Sequence, residues 1–494
     1  MAIESRGGVR VLVTGATGYV GGKLVAKLVQ AGHNVTCMVR DVSRVSPYVA
    51  ENTRVLQADV LRPETLDSVM HDIDVAYYLI HSMSGEASGF EERDRRAAQN
   101  FATAARNAGV RRVIYLGGLT SDNSPVSEHL RSRQETGAVL REFGPPLTEF
   151  RAGIIVGNGS MSFEMIRCLS ERLPVMICPR WVTTRTQPIF IDNVLEYLVS
   201  ALAVPASAGE IVEIGGATIE TYGSMMMTYA RQRGLRRFLL RVPVLTPRLS
   251  SYWLKLVTPV PTSVARPLIE GLRTEVVCNN PHARELFPNL HPISYDVAVA
   301  CALARSAPDS ALTEMIPNDV SAACVRREGF ICDVRQRIIR ATPAHVFDVI
   351  ENIGGHRGWP YGNLLWQVRG WMDLLLGGVG MRRGRTREGH LLAGGHIDFW
   401  RIEDVVPGKR VLLAAEMKLP GRAWLEFVLT PLSDGRTLLR CTAWFEPRGV
   451  AGELYWWMLY PIHILIFDGM ADAIRRMAER RLVQPTSISP AVSA

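Results

Sequence analysis

Between residues 9 and 157, short apolar runs alternate with amphipathic stretches, and that alternation restricts the chain to very few folds. "VRVLVTG" (9–15), "NVTCMVR" (34–40), "TRVLQADV" (53–60), "DVAYYLIH" (74–81), "VRRVIYLGG" (110–118) and "LTEFRAGIIVG" (147–157) have the length and β-branched content of buried strands. "GGKLVAKLVQAG" (21–32) and "RRAAQNFATAARNAG" (95–109) repeat their apolar residues at helical spacing. Parallel strands need a crossover connection, and a helix is the usual one. The pattern therefore predicts an α/β domain on a doubly wound parallel sheet.

The turn after the first run carries the strongest motif. In "TGATGYVGG" the glycines Gly15, Gly18 and Gly21 recur as G-x-x-G-x-x-G. Gly15 permits a tight turn, Gly18 lets backbone N–H groups approach a pyrophosphate, and Gly21 lets helix pack close on strand. Glycine triplets serve many α/β proteins, but one between a strand and a helix points to a bound dinucleotide and a Rossmann-type sheet. The second strand ends in "MVRD", with Arg40 where NAD-preferring folds usually place an acid. Its guanidinium suits the 2′-phosphate of NADP. A solvated surface arginine is the plainer alternative, and Asp41 beside it leaves NAD open. "ADV" (58–60) sets Asp59 where its carboxylate either accepts from the adenine amino group or caps a helix.

"TGATGYVG", "ADV", "YYLIHSM" and "YLGGL" together resemble the NmrA-like, atypical branch of the short-chain dehydrogenases. "RAGIIVGNGSMSFEMIR" (151–167) and "PRWVTTRTQPIFIDNV" (179–194) resemble that branch's substrate-side segments, which extend over about 151–305. The resemblance covers residues 8 to 300. It implies cofactor contacts from Gly15, Thr17, Gly18, Tyr19, Val20, Gly21, Arg40, Asp59, Val60, Leu79, Ile80 and His81. It also implies a Ser past the fifth strand and a Tyr-x-x-x-Lys on the next helix, and here the chain departs. "GGLTSDNSPVSEHLRSR" (117–133) offers Gly117 and Gly118, then His129-x-x-x-Arg133. Ser121 restores the missing hydroxyl only if it folds back. A phenol of pKa ~10 is replaced by an imidazole of ~6.5. His129 is either a general acid or a structural histidine, and Arg133 is a ribose-binding candidate whose planar fork differs from lysine. Tyr77, Tyr78 and Tyr115 read as core residues.

At 494 residues the chain exceeds one ordinary core. A content of 47% hydrophobic and 21% charged residues describes a folded globular protein. The net charge of +8 suits an anionic surface or a phosphorylated cofactor, but without a Lys/Arg run or a nucleic-acid motif no nucleic acid is expected. Eight scattered cysteines without a C-x-x-C pair fit reduced thiols in a cytoplasm, not a zinc site. His282 and His291 lack ligand spacing, so no metal is expected. "MAIESRGG" holds no apolar leader. "LYWWMLYPIHILIF" (454–467) contains Pro461 and His463 and falls short of a bilayer span, so no crossing is expected.

Residues 224–273 contain five prolines, limiting them to short helices, with basic residues alternating with Tyr252, Trp253 and Leu254. They form a lid over a greasy substrate, a surface resting on anionic lipid, or a subdomain packed on the sheet. A polar linker, "SAPDSALTEMIPNDVS" (306–321), then precedes a change of pattern. "FICDVRQRIIRA" (330–341) leads to "TPAHVFDVIENIGG" (342–355), a helix with Thr342 at its N-cap and Pro343 at its first position. "HIDFWRIEDVV" (396–406), "KRVLLAAEMK" (409–418), "RAWLEFVLTPL" (422–432) and "RTLLRCTAWFEP" (436–447) read as antiparallel strands, with Asp434-Gly435 a hairpin turn. A long helix over about 450–482 follows. This α+β order resembles the START/SRPBCC helix-grip fold, which implies a sheet wrapped on that helix around an apolar cavity. Eight of the ten tryptophans lie here, as core filling or as pocket lining. "YGNLLWQVRGWMDLLLGGVGMRRGR" (361–385) is a candidate gate, and His390 and His396 read as structural.

The expected domains are 1–318, 319–484 and a flexible tail at 485–494. The leading functional reading is an NADP(H)-binding oxidoreductase joined to a domain that holds a hydrophobic small molecule or lipid. The alternatives are a redox sensor or scaffold that does not turn the nucleotide over, and a membrane-peripheral lipid-transfer protein.

Overall fold

The computed structural model describes residues 8–42, 45, 47–80, 90–119, 128–178, 180–241, 275–279, 281–304, 308, 321–375, 377–380, 384–385 and 390–481. These residues fall into two compact units, one within 1–305 and one within 316–494 together with Pro308. His81, Ser121, the segment 242–273, nearly all of 306–321 and the tail lie outside the described residues, as does the side chain of His129.

In the first unit the apolar runs form β1 (Arg10–Thr14), β2 (Asn34–Val39), β3 (Arg54–Gln57), β4 (Val75–Tyr78), β5 (Arg112–Gly118), β6 (Leu147–Ala152) and β7 (Ile211–Ile214). They make one sheet in the order β7-β6-β5-β4-β1-β2-β3, every neighbour parallel. The helices α1 (Tyr19–Gln30), α2 (Phe90–Asn107), α3 (Glu128–Phe143) and α4 (Ile191–Ser200) are connections between strands. Successive strand residues point to opposite faces, and both faces here are buried. Val11, Val13, Val35, Cys37 and Tyr77 pack with Leu24 and Leu28 of α1 and Val194 and Leu198 of α4. Leu12, Met38, Ala76, Tyr78 and Tyr115 pack with Phe101 of α2 and Leu140 of α3. This is the doubly wound parallel sheet expected from the alternation. The strand order reverses between β1 and β4, which opens a crevice at their carboxyl ends.

Residues beyond β7 begin with one helix, Tyr222–Gln232, and a strand, Phe238–Arg241. Arg237 donates to the carbonyls of Ser170 and Glu171, so this part of the basic stretch is tied to its own unit.

The second unit is a seven-stranded antiparallel sheet: β8 (Ala322–Arg327), β9 (Phe330–Ile339), β10 (His396–Ile397), β11 (Trp400–Val406), β12 (Arg410–Ala415), β13 (Gly421–Pro431) and β14 (Thr437–Pro447), in the order β8-β9-β14-β13-β12-β11-β10. β8 is a strand that the sequence pattern did not announce; it pairs with β9 through a hairpin in which Glu328 and Gly329 both take positive φ. Gly435 turns the expected hairpin at φ +80°, with Gly435 N–H donating to Leu432 O at 3.1 Å. Among the described residues three α-helices complete the unit: α5 (Pro343–Glu351), α6 (Asn363–Leu375) and α7 (Gly449–Arg481). Thr342 stands at the N-cap of α5, but its hydroxyl meets the His345 ring at 2.8 Å and not a backbone N–H.

The second half of α7 lies on the sheet. Phe467, Met470, Ile474 and Ala478 are buried with Ile331, Ile339 and Leu439. Arg337 of β9 holds Asp468 at 2.6 Å and Asp472 at 2.9 Å. α7 is the long helix expected over about 450–482: it is 33 residues long and runs through Pro461. By length and composition alone α7 passes for a membrane span, with an 18-residue window of mean hydropathy 1.2.

Candidate functional site

The site grows out of the turn between β1 and α1. Gly15 sits at φ +69°, a conformation L side chains avoid, and a Cβ there would lie 2.6 Å from the carbonyl oxygen of Leu79 at the end of β4. A Cβ on Gly21 would lie 2.2 Å from the carbonyl oxygen of Gly15, so the first turn of α1 rests directly on the loop. Gly18 is the N-cap and donates no side-chain cap; its N–H donates to Gly15 O at 2.9 Å. As the N-cap, Gly18 has no side chain to take up the first-turn N–H groups of α1, an arrangement that suits an anion. The residues present fit a dinucleotide pyrophosphate.

Thr14 completes this corner, and sequence reasoning passed it over. Its buried hydroxyl donates to Tyr77 O at 3.0 Å and accepts from Leu79 N at 3.0 Å, stapling β1 to β4 across the switch point. One hydroxyl at the end of an apolar run was the available signal. Tyr19 opens α1, and its hydroxyl lies 2.5 Å from where a Cβ on Gly157 would stand, so the loop after Ile155–Val156 closes on the same helix end.

The other sequence candidates divide by their surroundings. Thr17 is exposed on the turn, while Val20 and Leu79 are half-buried against the core shared by α1 and α4. Ile80 is half-buried against the opposite core. Val60 is buried, and its carbonyl accepts from Asn100 Nδ2 at 2.9 Å. Asp59 Oδ1 accepts from Leu61 N–H at 3.0 Å, so one carboxylate oxygen serves its own turn. Arg40 is exposed at the end of β2, anchored by its carbonyl, which accepts from Gln57 Nε2 at 2.9 Å. Among the described residues its guanidinium has no hydrogen bond or ion pair.

Over the end of β5, Gly118 faces α3: a Cβ on it would lie 2.9 Å from Leu130 Cδ2 and 3.4 Å from Arg133 Cδ. Arg133 therefore covers the strand end where the resembled family carries its Ser. Its Nε is buried and has no partner among the described residues. Tyr115 is buried, and its hydroxyl donates to Arg133 O at 3.0 Å. Tyr77 donates to Leu198 O at 2.8 Å. Burial pushes the hydroxyls of Tyr77, Tyr78 and Tyr115 far above the ordinary phenol range. None of the three tyrosines is placed or titrated to hand over a proton.

In the second unit six of the eight tryptophans are buried and two, Trp371 and Trp457, are exposed. Trp359 and Trp366 stack at 4.8 Å, and Trp456 stacks on Phe445 at 5.5 Å, so these rings pack against other rings. His390 and His396 stand 3.6 and 3.5 Å from Glu351 and Glu416, and Glu416 is shared with Arg401. Among the described residues no group of His, Cys, Asp or Glu could hold a metal ion.

Both units match known protein families. Residues 15–144 match the family described as NAD(P)H-binding, and residues 330–470 match a family described as a protein of unknown function. The ceramide reductase of Caulobacter vibrioides is 26% identical over 247 residues, which is 49% of this chain and 76% of the relative. The photosystem II assembly factor Ycf39 of a Synechocystis species is 24% identical over 116 residues, 24% of this chain and 36% of the relative. Among solved structures, the triphenylmethane reductase of a Citrobacter species aligns with a TM-score of 0.49 at 17% identity, covering 60% of this chain and 99% of its own. Residues 15–144, on the Rossmann-type parallel sheet, thus match an NAD(P)H-binding family, and residues 330–470 match the family of unknown function.

Proposed function

We propose that the protein is an NADP(H)-dependent oxidoreductase of the NmrA-like kind that acts on a hydrophobic small molecule. The observation that carries this reading is Arg40, exposed beside the glycine turn with no partner among the described residues. A guanidinium in that place pairs with a ribose 2′-phosphate. Gly15, Gly18 and the first turn of α1 hold the pyrophosphate, with Thr17, Tyr19 and Val20 at the edges of the same turn. Asp59 turns its remaining carboxylate oxygen to the adenine, and Leu79 and Ile80 border the nicotinamide end. Arg133 holds the ribose hydroxyls above Gly118. Bound nicotinamide supplies or accepts the hydride. The matching proton comes from His129, since the nearby tyrosines are committed to backbone carbonyls or buried.

The second unit, in this reading, is a START/SRPBCC-like helix grip whose antiparallel sheet and long α7 shelter the hydrophobic molecule. The relative named for ceramide supports a greasy substrate. A cytoplasmic protein touching membranes only peripherally fits such a substrate. Gly117 and Gly118, standing where a catalytic Ser is expected, favour a second reading: a non-catalytic NAD(P)H sensor or scaffold, in line with a relative named as an assembly factor.

Titrating NADPH and NADH into wild type and Arg40→Ala tests the reading. NADPH is expected to bind more tightly, and the substitution to remove about 1.5–3 kcal/mol of that preference. Equal affinities in wild type would replace the NADP assignment with NAD, for which Asp41 is at hand. Offering ceramide to the NADPH-loaded protein then separates the readings, because a sensor binds the nucleotide without consuming it.

A further inference from the structure

On α6 the residues Leu364, Val368, Trp371, Met372 and Leu375 recur at helical spacing, and all five are exposed, Trp371 by 73% and Leu375 by 88%. The side turned to the core carries Trp366, Gly370 and Asp373. Asp373 is held there by the N–H groups of Gly380 and Lys418, each at 2.8 Å. A helix on a water-soluble domain ordinarily turns its apolar stripe inward. This one is turned outward.

The first half of α7 does the same. Leu454, Trp457, Met458, Ile462 and Leu465 are exposed, Met458 by 73%, while Trp456 on the opposite side packs on Phe445. The two helices are neighbours: the Arg369 guanidinium lies 5.1 Å from the centre of the Tyr455 ring, and Trp366 lies 6.2 Å from Phe467. An exposed apolar surface of this extent marks an interaction site.

Its chemistry selects the occupant. The two stretches contain one acid each, Asp373 and Glu453; the first is buried and the second is paired with Arg326. Trp371 and Trp457 each stand in an exposed stripe, Tyr460 lies against Trp457 at 5.5 Å, and exposed Arg448 precedes α7. Tryptophan with aliphatic residues, free of exposed acids, is the composition of helices lying in a bilayer interface. A protein partner of similar area would need a polar rim with about one hydrogen bond per 100–200 Å². These stripes offer little to build one.

Spanning is ruled out by the rest of α7. From Ile466 onward the helix is locked to the sheet through Phe467, Met470 and the Arg337 ion pairs. Residues 449–465 reach only about 25 Å, less than a hydrocarbon core, and one side of them is packed on protein. We propose that α6 and the first half of α7 form a docking face for a lipid bilayer, with both apolar stripes lying in the plane of the interface. The face is independent of the nucleotide chemistry, though it would bring a hydrophobic substrate within reach.

The test is flotation of the full chain with vesicles of phosphatidylcholine and phosphatidylglycerol, without nucleotide. Wild type is expected to float, and the triple variant Trp371→Glu, Leu375→Glu, Met458→Glu to partition about 100-fold less. All three positions are exposed, so its circular dichroism and melting should match wild type. If the triple variant misfolds, Leu375→Glu alone should still lower partition about tenfold. Brominated lipid should quench wild-type tryptophan emission. Wild type remaining unbound, or a folded variant floating equally, overturns the proposal. So does a wild-type dimer in sedimentation velocity that the variant dissolves without any flotation, which would make the face an interface between copies.

Discussion

Helices α1 and α6 are built from similar material and used in opposite ways. Both carry apolar residues at helical spacing and both belong to units with a seven-stranded sheet. α1 buries Leu24, Val25 and Leu28 on the parallel sheet, whereas α6 buries a tryptophan, a glycine and an aspartate and leaves five large apolar residues exposed. Periodicity establishes that a helix has an apolar stripe. It does not say whether protein or something else will cover it. What decides is the second contact set: α1 is wedged between a strand and α4, while the inward side of α6 is fixed by Asp373 receiving two backbone N–H groups.

The largest expected effect tests that contrast directly. Leu24→Asp puts a carboxylate into a fully buried position between α1 and the sheet, and should cost more than about 4 kcal/mol, enough to unfold the first unit. Leu375→Asp is the same change on α6 at a position that is almost fully open, and should move stability by no more than about 0.5 kcal/mol. Urea denaturation of the two variants measures both. A strongly destabilised Leu375→Asp would mean that the outward stripe of α6 is covered by protein.

Much of the first unit was legible because its requirements are local. A glycine that must take φ +69° beside a carbonyl 2.6 Å away leaves a mark in sequence that few residues can imitate. Burial on both faces likewise leaves near-continuous apolar runs. Thr14 escaped because a threonine at a strand end reads as β-propensity, and its work depends on which strand lies next to it. In the second unit β8 lies just past the polar linker, in a stretch whose pattern announces no element, whereas the long helix through Pro461 is legible in its apolar run. The eight tryptophans were visible, but whether a ring fills a core or faces out is a property of packing, and they divide six to two.

An intermediate effect concerns the end of β5, where the glycine turn is matched by a place the sequence left undecided. Arg133 covers Gly118 with its Nε buried and without a partner among the described residues. If it holds the ribose, Arg133→Ala should weaken nucleotide binding by about 1.5–3 kcal/mol, the worth of a charge-assisted hydrogen bond. His129→Phe should leave binding nearly unchanged and, with a turned-over substrate, lower the rate ~10²-fold or more if the imidazole is the acid. Isothermal titration and single-turnover kinetics read the two separately. Loss of binding in His129→Phe with none in Arg133→Ala would reverse the two assignments.

The smallest effect asks whether the inward side of α7 is as firmly packed as its outward side is open. His463 lies there, edge-on to Trp456 at 4.8 Å and to Phe467 at 5.4 Å, and its Nδ1 is buried without a hydrogen-bond partner among the described residues. Burial, and after it the charge of Arg369, pushes the imidazole down to about 4. An unfolded histidine takes its proton near ~6.5, so between these values the unfolded chain binds more protons than the folded one. The contribution of the neutral ring is therefore complete above ~6.5 and lost as pH falls toward about 4. His463→Leu keeps the apolar packing and removes the titration. The stability difference between wild type and variant should change by about 1–3 kcal/mol from pH 7 to pH 4.5, with wild type the more acid-sensitive. A difference that stays flat with pH would mean that water reaches the ring, and that this stretch of α7 is open on both sides.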